Sequence, residues 1–306
     1  MIVENVIRRE DSDMAIEGLL NTDLAVEERE RFERNVEIPG VILEKSFVKS
    51  IALQITRMDI INREGEENMG KPIGTYVTME SPAIRENDPE EVTAKKPYEI
   101  LVKHLVKEIK LLLNKEQNEK VLLVGLGNKN ATPDALGPKT IEKIIPGETV
   151  MCIAPGVLAQ TGMETFKIVK GIVSENKPDK IIVVDSLAAR NARRLGATIQ
   201  ITDTGIIPGS GIGNYRMGIN KETVGVDVIA IGVPMVVKGM TIVHDVIMEM
   251  VSNLEEEFVN NVKDELSMYA SDNPTIEDMY VTPKDVDEMI ERLSNIIAEG
   301  INRIEE

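Results

Sequence analysis

Two hydrophobic rhythms run along this chain and change places several times. Residues 41–56 (VILEKSFVKSIALQIT) alternate well enough for a pair of strands, and residues 74–80 (GTYVTME) carry the β-branched content of another. Over residues 90–113 the spacing lengthens to three and four. Ile100, Leu101, Leu105, Ile109 and Leu112 then share one face and Lys and Glu the other, which predicts a helix. Beyond it, continuous apolar runs alternate with helical stretches. Residues 121–126, 149–154, 180–184, 198–201 and 228–233 read as strands, and 138–145, 161–175, 187–195 and 241–258 as helices. Residues 259–281 are polar and read as loop. An amphipathic helix from Val281 closes the chain, with Thr282 and Pro283 suited to its start.

Strands that are apolar throughout belong to a sheet covered on both faces. The expected fold is therefore α/β: a mostly parallel twisted sheet with helices on both faces, and an extra N-terminal strand region. Residues 1–38 are highly charged and weakly periodic, and read as an extension outside the core. No internal repeat or low-complexity tract interrupts the pattern.

Composition narrows the function. A chain of 306 residues buries a large core. With 52 acidic against 35 basic side chains its formal net charge is -17. That argues against nucleic-acid binding, which rests on Lys and Arg neutralising phosphates. The absence of Trp and scarcity of other aromatics argue against recognition by stacking. A single cysteine, Cys152, excludes an intramolecular disulfide and a Cys-rich zinc site, and fits a reducing, cytoplasmic compartment. The opening MIVENVIRREDSDM lacks the apolar core of a signal peptide, and no apolar run reaches membrane-spanning length, so a soluble protein away from membranes is expected.

Candidate chemistry gathers on two carboxylates. In open α/β sheets, ligand and catalytic groups collect beyond the carboxyl ends of the strands. The run 121–126 leads into GNKNATPD and delivers Asp134, and the run 180–184 is followed at once by Asp185 in KIIVVDSLAAR. If those strands are neighbours, both carboxylates face one crevice. Such a pair shares a proton, one member activating water and the other polarising a carbonyl. Plainer roles stand beside this one: Asp185 as the N-cap of a following helix, and Asp134 as an ordinary turn residue.

Other chemistries find less support. His104 sits mid-helix and His244 near the start of a helix, both at packing or surface positions, and no H-E-x-x-H is present. No G-x-S-x-G elbow occurs, and Cys152 lies within a strand as a small buried hydrophobe. The loops GLGN (125–128) and PGSGIGN (208–214) fall short of the dinucleotide fingerprint, because Asn130 and Asn214 stand where its third glycine would fall. Amides of PGSGIGN could still hold a substrate backbone or an oxyanion.

Taken together, VGLGNKNATPDALGP, PGVLAQTGMET, VDSLAARNARRLGATIQITDTG and PGSGIGN closely resemble the germination proteases of spore-forming bacteria, atypical aspartic endopeptidases. The resemblance runs from NTDLAVE to VTPKDVDEMI, nearly the whole chain. It implies catalytic aspartates in TPDALGP and VDSLAAR, which lands on Asp134 and Asp185. It also implies a zymogen that cuts itself between Asp23 and Leu24 in NTDLAVEERE, with a propeptide at 1–23 and a single α/β catalytic domain at 24–306. Asp23 as the N-cap of a helix is compatible with that role.

The implied substrates are the small acid-soluble proteins that coat spore DNA, in which an acidic residue precedes an apolar-Ala-x-Glu stretch. The resemblance further implies a homotetramer in the forespore and spore core, working without metal or nucleotide cofactor. Two positions depart from the family pattern: Ser186 stands where Ala commonly follows the second aspartate, and Ile207 where many members have His.

Two other readings remain. Hydrogenase-maturation endopeptidases have a GxGN…D opening on a similar α/β fold and use carboxylates to recognise nickel, but they are much shorter and lack LAARNARRLGATIQITDTG. A non-catalytic nucleotide-binding module would use the glycine loops for phosphates, against which the incomplete fingerprints and the lack of a nearby basic cluster count.

Overall fold

A computed structural model describes residues 22–33, 36–86, 95–213, 216–273, 275 and 278–304. The expected propeptide lies outside the described residues except for Thr22 and Asp23, as do positions 90–94 of the expected helix.

One nine-stranded sheet organises the chain. Its strands are β1 (Val41–Val48), β2 (Leu53–Ile60), β3 (Gly74–Glu80), β4 (Val121–Gly125), β5 (Val150–Ile153), β6 (Lys180–Ala189), β7 (Thr198–Thr202), β8 (Asp227–Lys238) and β9 (Tyr280–Val281). The order is β1-β2-β3-β7-β8-β6-β4-β5, with β9 pairing β8. The block β5-β4-β6-β8 is parallel, as the continuous apolar runs predict. The N-terminal strands β1 to β3 and β7 extend it through antiparallel pairings.

The principal helices near the site are α1 (Ala25–Arg29), α2 (Lys95–Leu113), α3 (Leu136–Ile141), α4 (Thr165–Asn176), α5 (Gly239–Val251), α6 (Glu256–Asp272) and α7 (Val286–Asn302). They cover both faces of the parallel block. On one face Val121 and Leu123 of β4 join Leu105 and Ile109 of α2 and Leu293 and Ile297 of α7. On the other, Leu122 and Val124 join Val169 and Val173 of α4. Successive residues of β4 thus point to opposite cores, which is why the strand reads as apolar rather than alternating.

Four expectations need correction. The stretch 187–195 is not a helix: β6 continues to Ala189, and a short 3-10 turn follows at Ala192–Arg194, its Arg193 amide donating to the Asn191 side chain. The helix-forming residues are overruled by pairing, because β8 runs to Lys238 and offers β6 a ladder as far as Ala189–Val237. Residues 259–281 are not a loop throughout, since α6 continues through them to Asp272; Leu266 of α6 packs against Met240 of α5. The helix expected over 241–258 is correspondingly broken between Val251 and Glu256. The closing helix begins at Val286, because Tyr280 and Val281 pair with β8 and the Thr282 hydroxyl donates to the Met235 carbonyl. Among the described residues, no helix is long and apolar enough to cross a membrane.

Candidate active site

The parallel block has its switch point at β4: the chain leaves β4 for β5 on one side and later returns as β6 on the other. Open sheets bind ligands beyond the carboxyl ends of such a strand pair. The neighbour relation on which the carboxylate pair depends is present, with register from Val121–Lys180 to Gly125–Val184. The Leu126 amide carries the ladder one step further onto the Val184 carbonyl, at 2.8 Å.

Asp134 closes the 3-10 turn Thr132–Asp134 in the loop after β4. Its Oδ2 accepts a hydrogen bond from the Asn128 amide at 2.7 Å, so the loop is tied to the carboxylate it presents. Gly127 makes this possible: its φ is +112°, and a Cβ there would lie 2.0 Å from the Asp134 carbonyl oxygen. Asp185 lies inside β6, not at a helix start, and so is no N-cap. It is 6% exposed, and its Oδ1 accepts from the Ser186 amide at 2.9 Å.

Both carboxylates line one pocket of about 340 Å³, together with Asp23, Ser186, Ala188 and Arg216. Burial pushes the Asp185 carboxyl well above the usual carboxylate range, and the charges of Asp134 and Asp23 push the same way. The Ser186 amide and Arg216 counter this only in part. Asp134 is half-buried, and burial raises it too, against the opposing Asn128 hydrogen bond and Arg216. Of the two, Asp185 is held further above the usual range, so a proton in the pocket rests more readily on Asp185 than on Asp134.

The segment from Thr22 to Arg29 is docked against the end of β6. Asp23 donates its amide to the Ala188 carbonyl at 3.0 Å. Its carboxylate accepts from the Ala188 amide at 2.8 Å and from the Ser210 hydroxyl at 2.6 Å. Asp23 is therefore not the N-cap of α1: that position belongs to Leu24, which makes no side-chain cap. Gln200 grips the main chain on both sides of the Asp23–Leu24 bond, donating to the Asp23 carbonyl at 3.1 Å and accepting from the Ala25 amide at 2.7 Å. Leu24 is fully buried among Leu187, Ala189, Leu195 and Val237. Burial of that kind contributes about 1.5–3 kcal/mol.

Glu27 anchors the other end. Its carboxylate accepts from the amides of Arg190 (2.7 Å) and Asn191 (2.9 Å), from Arg194 Nη1 (3.0 Å), and from the Thr22 hydroxyl. Arg194 also binds Glu30 and Glu80. Burial pushes the Glu30 carboxyl up, yet the hydrogen bond and charge of Arg194 outweigh it and leave it below the usual range.

The residues expected at the site thus converge: Asp134, Asp185 and Asp23 line one pocket, with Leu24 buried beside it. His104 and His244 do not line it. Cys152 packs partly buried against the core, where burial raises its thiol. The glycine loop PGSGIGN contributes the Ser210 hydroxyl, whereas its amides at 210, 212 and 213 are taken up by internal turns. Ser186 presents a buried hydroxyl without a hydrogen-bond partner among the described residues.

Sequence reasoning missed Gln200, Ser210, Arg194 and Arg216. Gln200 carried a signal, being a lone amide in the apolar strand TIQIT. Among the described residues, no group of three or more His, Cys, Asp or Glu side chains is arranged to hold a metal ion.

A family model described as germination protease matches residues 18–272. A germination protease from Clostridium perfringens (strain ATCC 13124) is 41% identical over 92% of this chain and 94% of the relative. One from Clostridium tetani is 42% identical over 92% and 94%, and one from Bacillus subtilis (strain 168) 33% over 93% and 92%. Among solved structures, a [NiFe] hydrogenase maturation protease HycI from Thermococcus kodakarensis KOD1 aligns with a TM-score of 0.35 and 17% identity, covering 61% of this chain and 94% of that one.

Proposed function

The chain belongs to the germination protease family, and from that premise we propose that it is a zymogen endopeptidase in which Asp134 and Asp185 form an acid–base dyad that activates water. The observation that carries this reading is the pair of carboxylates in one pocket, held in unlike environments, with the Asp23–Leu24 segment docked beside them.

In this mechanism ionised Asp134 takes a proton from a water molecule as its oxygen adds to the scissile carbonyl carbon. Asp185 gives its proton to the carbonyl oxygen, so a neutral gem-diol forms without a free oxyanion. Collapse reverses the roles. Asp134 delivers its proton to the leaving nitrogen as the C–N bond breaks, and a gem-diol hydroxyl returns a proton to Asp185. One water is consumed and the dyad is restored. Arg216, whose charge favours ionisation of both aspartates, limits how far the pair is driven toward the doubly protonated state.

The same reading makes residues 1–23 a propeptide removed by a cut after Asp23. Until then the resident segment fills the place a substrate would take. The substrates are the small acid-soluble spore proteins, met in the spore core after the DNA they coat has been released. The acidic balance of 52 to 35 suits a protease that acts on freed protein rather than on a DNA complex. Exposed Val243, Val246, Met250, Phe258 and Met268 on α5 and α6 supply apolar surface for a homotetramer.

The test is to incubate the purified chain with a small acid-soluble spore protein at mildly acid pH and read the fragments by mass. Cuts after an acidic residue preceding an apolar-Ala-x-Glu stretch are expected from wild type, and from neither Asp134→Asn nor Asp185→Asn. An intact substrate with wild type overturns the proposal.

A further inference from the structure

We propose that Ser210, Gly211 and the backbone amide of Ala188 form the subsite that reads the acidic side chain on the amino side of the scissile bond. This rests on the reading of the chain as a protease that cuts after Asp23, and assigns the residues that choose that position.

The main chain around Asp23 is fixed without any help from its side chain. Its amide is spent on Ala188, its carbonyl on Gln200, and the Ala25 amide on the same glutamine. Any residue could make those bonds, so they set register and not identity. The carboxylate is held separately: Oδ1 takes the Ser210 hydroxyl at 2.6 Å and Oδ2 the Ala188 amide at 2.8 Å. Two donors converge on two oxygens, a match to a carboxylate, and hydrogen bonds to charged acceptors are the stronger kind.

Shape adds to this. A Cβ built on Gly211 would stand 2.3 Å from Asp23 Oδ2 and 2.6 Å from its Cγ. Gly211 is not among the left-handed glycines, so its backbone places no demand for glycine; the missing side chain leaves room for the carboxylate and for Ala188, whose Cβ would lie 2.8 Å from a Cβ there. The subsite also explains the serine in PGSGIGN. That loop resembles a phosphate cradle, yet it delivers a hydroxyl to an amino-acid side chain.

After cleavage Asp23 would leave as the new carboxyl terminus of the propeptide, and the notch would empty. Leu24 and Glu27 would remain on the catalytic chain. The acidic subsite is thus the part of the docked arrangement that autoprocessing itself vacates for an incoming substrate.

The experiment follows self-cleavage of the full chain at mildly acid pH by intact mass, with variants compared to wild type. Ser210→Ala is expected to slow the cut after residue 23 by roughly tenfold to a hundredfold. Gly211→Ala is expected to slow it comparably, by filling the notch. Replacing Asp23 with Gly should then uncouple both variants from the cut. In the Asp23→Gly background Ser210→Ala should cost nothing further, and Gly211→Ala should lose the part of its effect that comes from the Asp23 carboxylate and keep only what its contact with Ala188 Cβ causes. Ser210→Ala removes one oxygen and decides the matter alone if the Gly211→Ala chain does not fold. Wild type that cuts after Asp23, with Ser210→Ala and Gly211→Ala cutting at the same rate, overturns the subsite and leaves the protease standing. Wild type that cuts neither itself nor a spore protein overturns the protease reading and the subsite with it.

Discussion

Glu27 and Arg194 meet at the seam between the docked N-terminal segment and the end of the parallel sheet, with Nη1 3.0 Å from Oε1 and side-chain exposures of only 2% and 11%. Where removing one member of such a buried pair leaves the other charge unpaired, the cost is about 3–5 kcal/mol. The two truncations are not equal. Glu27→Ala leaves Arg194 with Glu30 and Glu80, whereas Arg194→Ala leaves three carboxylates close together. Urea unfolding is expected to rank Arg194→Ala as the more destabilised variant, with Glu27→Ala between it and wild type.

Asp185 links stability to pH. Its folded carboxyl is raised well above the unfolded value, so the folded state holds the proton more tightly. The resulting stability is fully present below the unfolded carboxylate range and is lost as pH rises through the folded pKa. Asp185→Asn removes the titration. Its melting temperature should exceed that of wild type at neutral and alkaline pH, and the gap should close toward acid pH in paired thermal melts.

Activity should show a bell. On the proposed mechanism Asp134 must be ionised and Asp185 protonated. Both are raised, Asp185 further than Asp134, so the active window lies between their two titrations. A kcat/KM profile on a peptide substrate is expected to fall on the acid side as Asp134 protonates and on the alkaline side as Asp185 ionises. A flat profile across both limbs contradicts the assignment.

Gly127 positions Asp134. Alanine there combines a left-handed φ of +112° with a Cβ pressed against the Asp134 carbonyl oxygen at 2.0 Å. Gly127→Ala should cost about 1–3 kcal/mol through backbone strain. It should also slow cleavage by roughly a hundredfold, the expected effect of moving a reacting group by about 1 Å. Cleavage at the wild-type rate in a folded Gly127→Ala chain would remove Asp134 from the reaction.

Much of this architecture was legible in the sequence because local pattern and global packing agree there. Residues 121–126 and 180–184 are apolar throughout, since each strand serves two cores, and that pattern pointed to both Asp134 and Asp185. The pattern failed where a partner decided the outcome. Leu187 to Leu195 has helix-forming residues, but Leu187 and Ala189 are drawn into a strand by β8 and buried against Leu24. The polar face of α6 hid a helix: among its described residues, Leu266 packs against Met240 while Phe258, Met268 and Tyr269 are exposed. Gln200 stood out only as a lone amide in an apolar strand and Ser210 not at all, because their role exists only once TDLAVE lies across them, a contact spanning roughly 180 positions that no local spacing encodes.

The most direct test of the dyad is the mass of the purified full chain during incubation at mildly acid pH, beside Asp185→Asn and Asp134→Asn. Wild type is expected to lose the segment ending at Asp23 and to expose Leu24 as its new amino terminus, while both variants keep their full mass. Continued release of that segment by either variant would contradict it, and would move the catalytic centre away from these two aspartates.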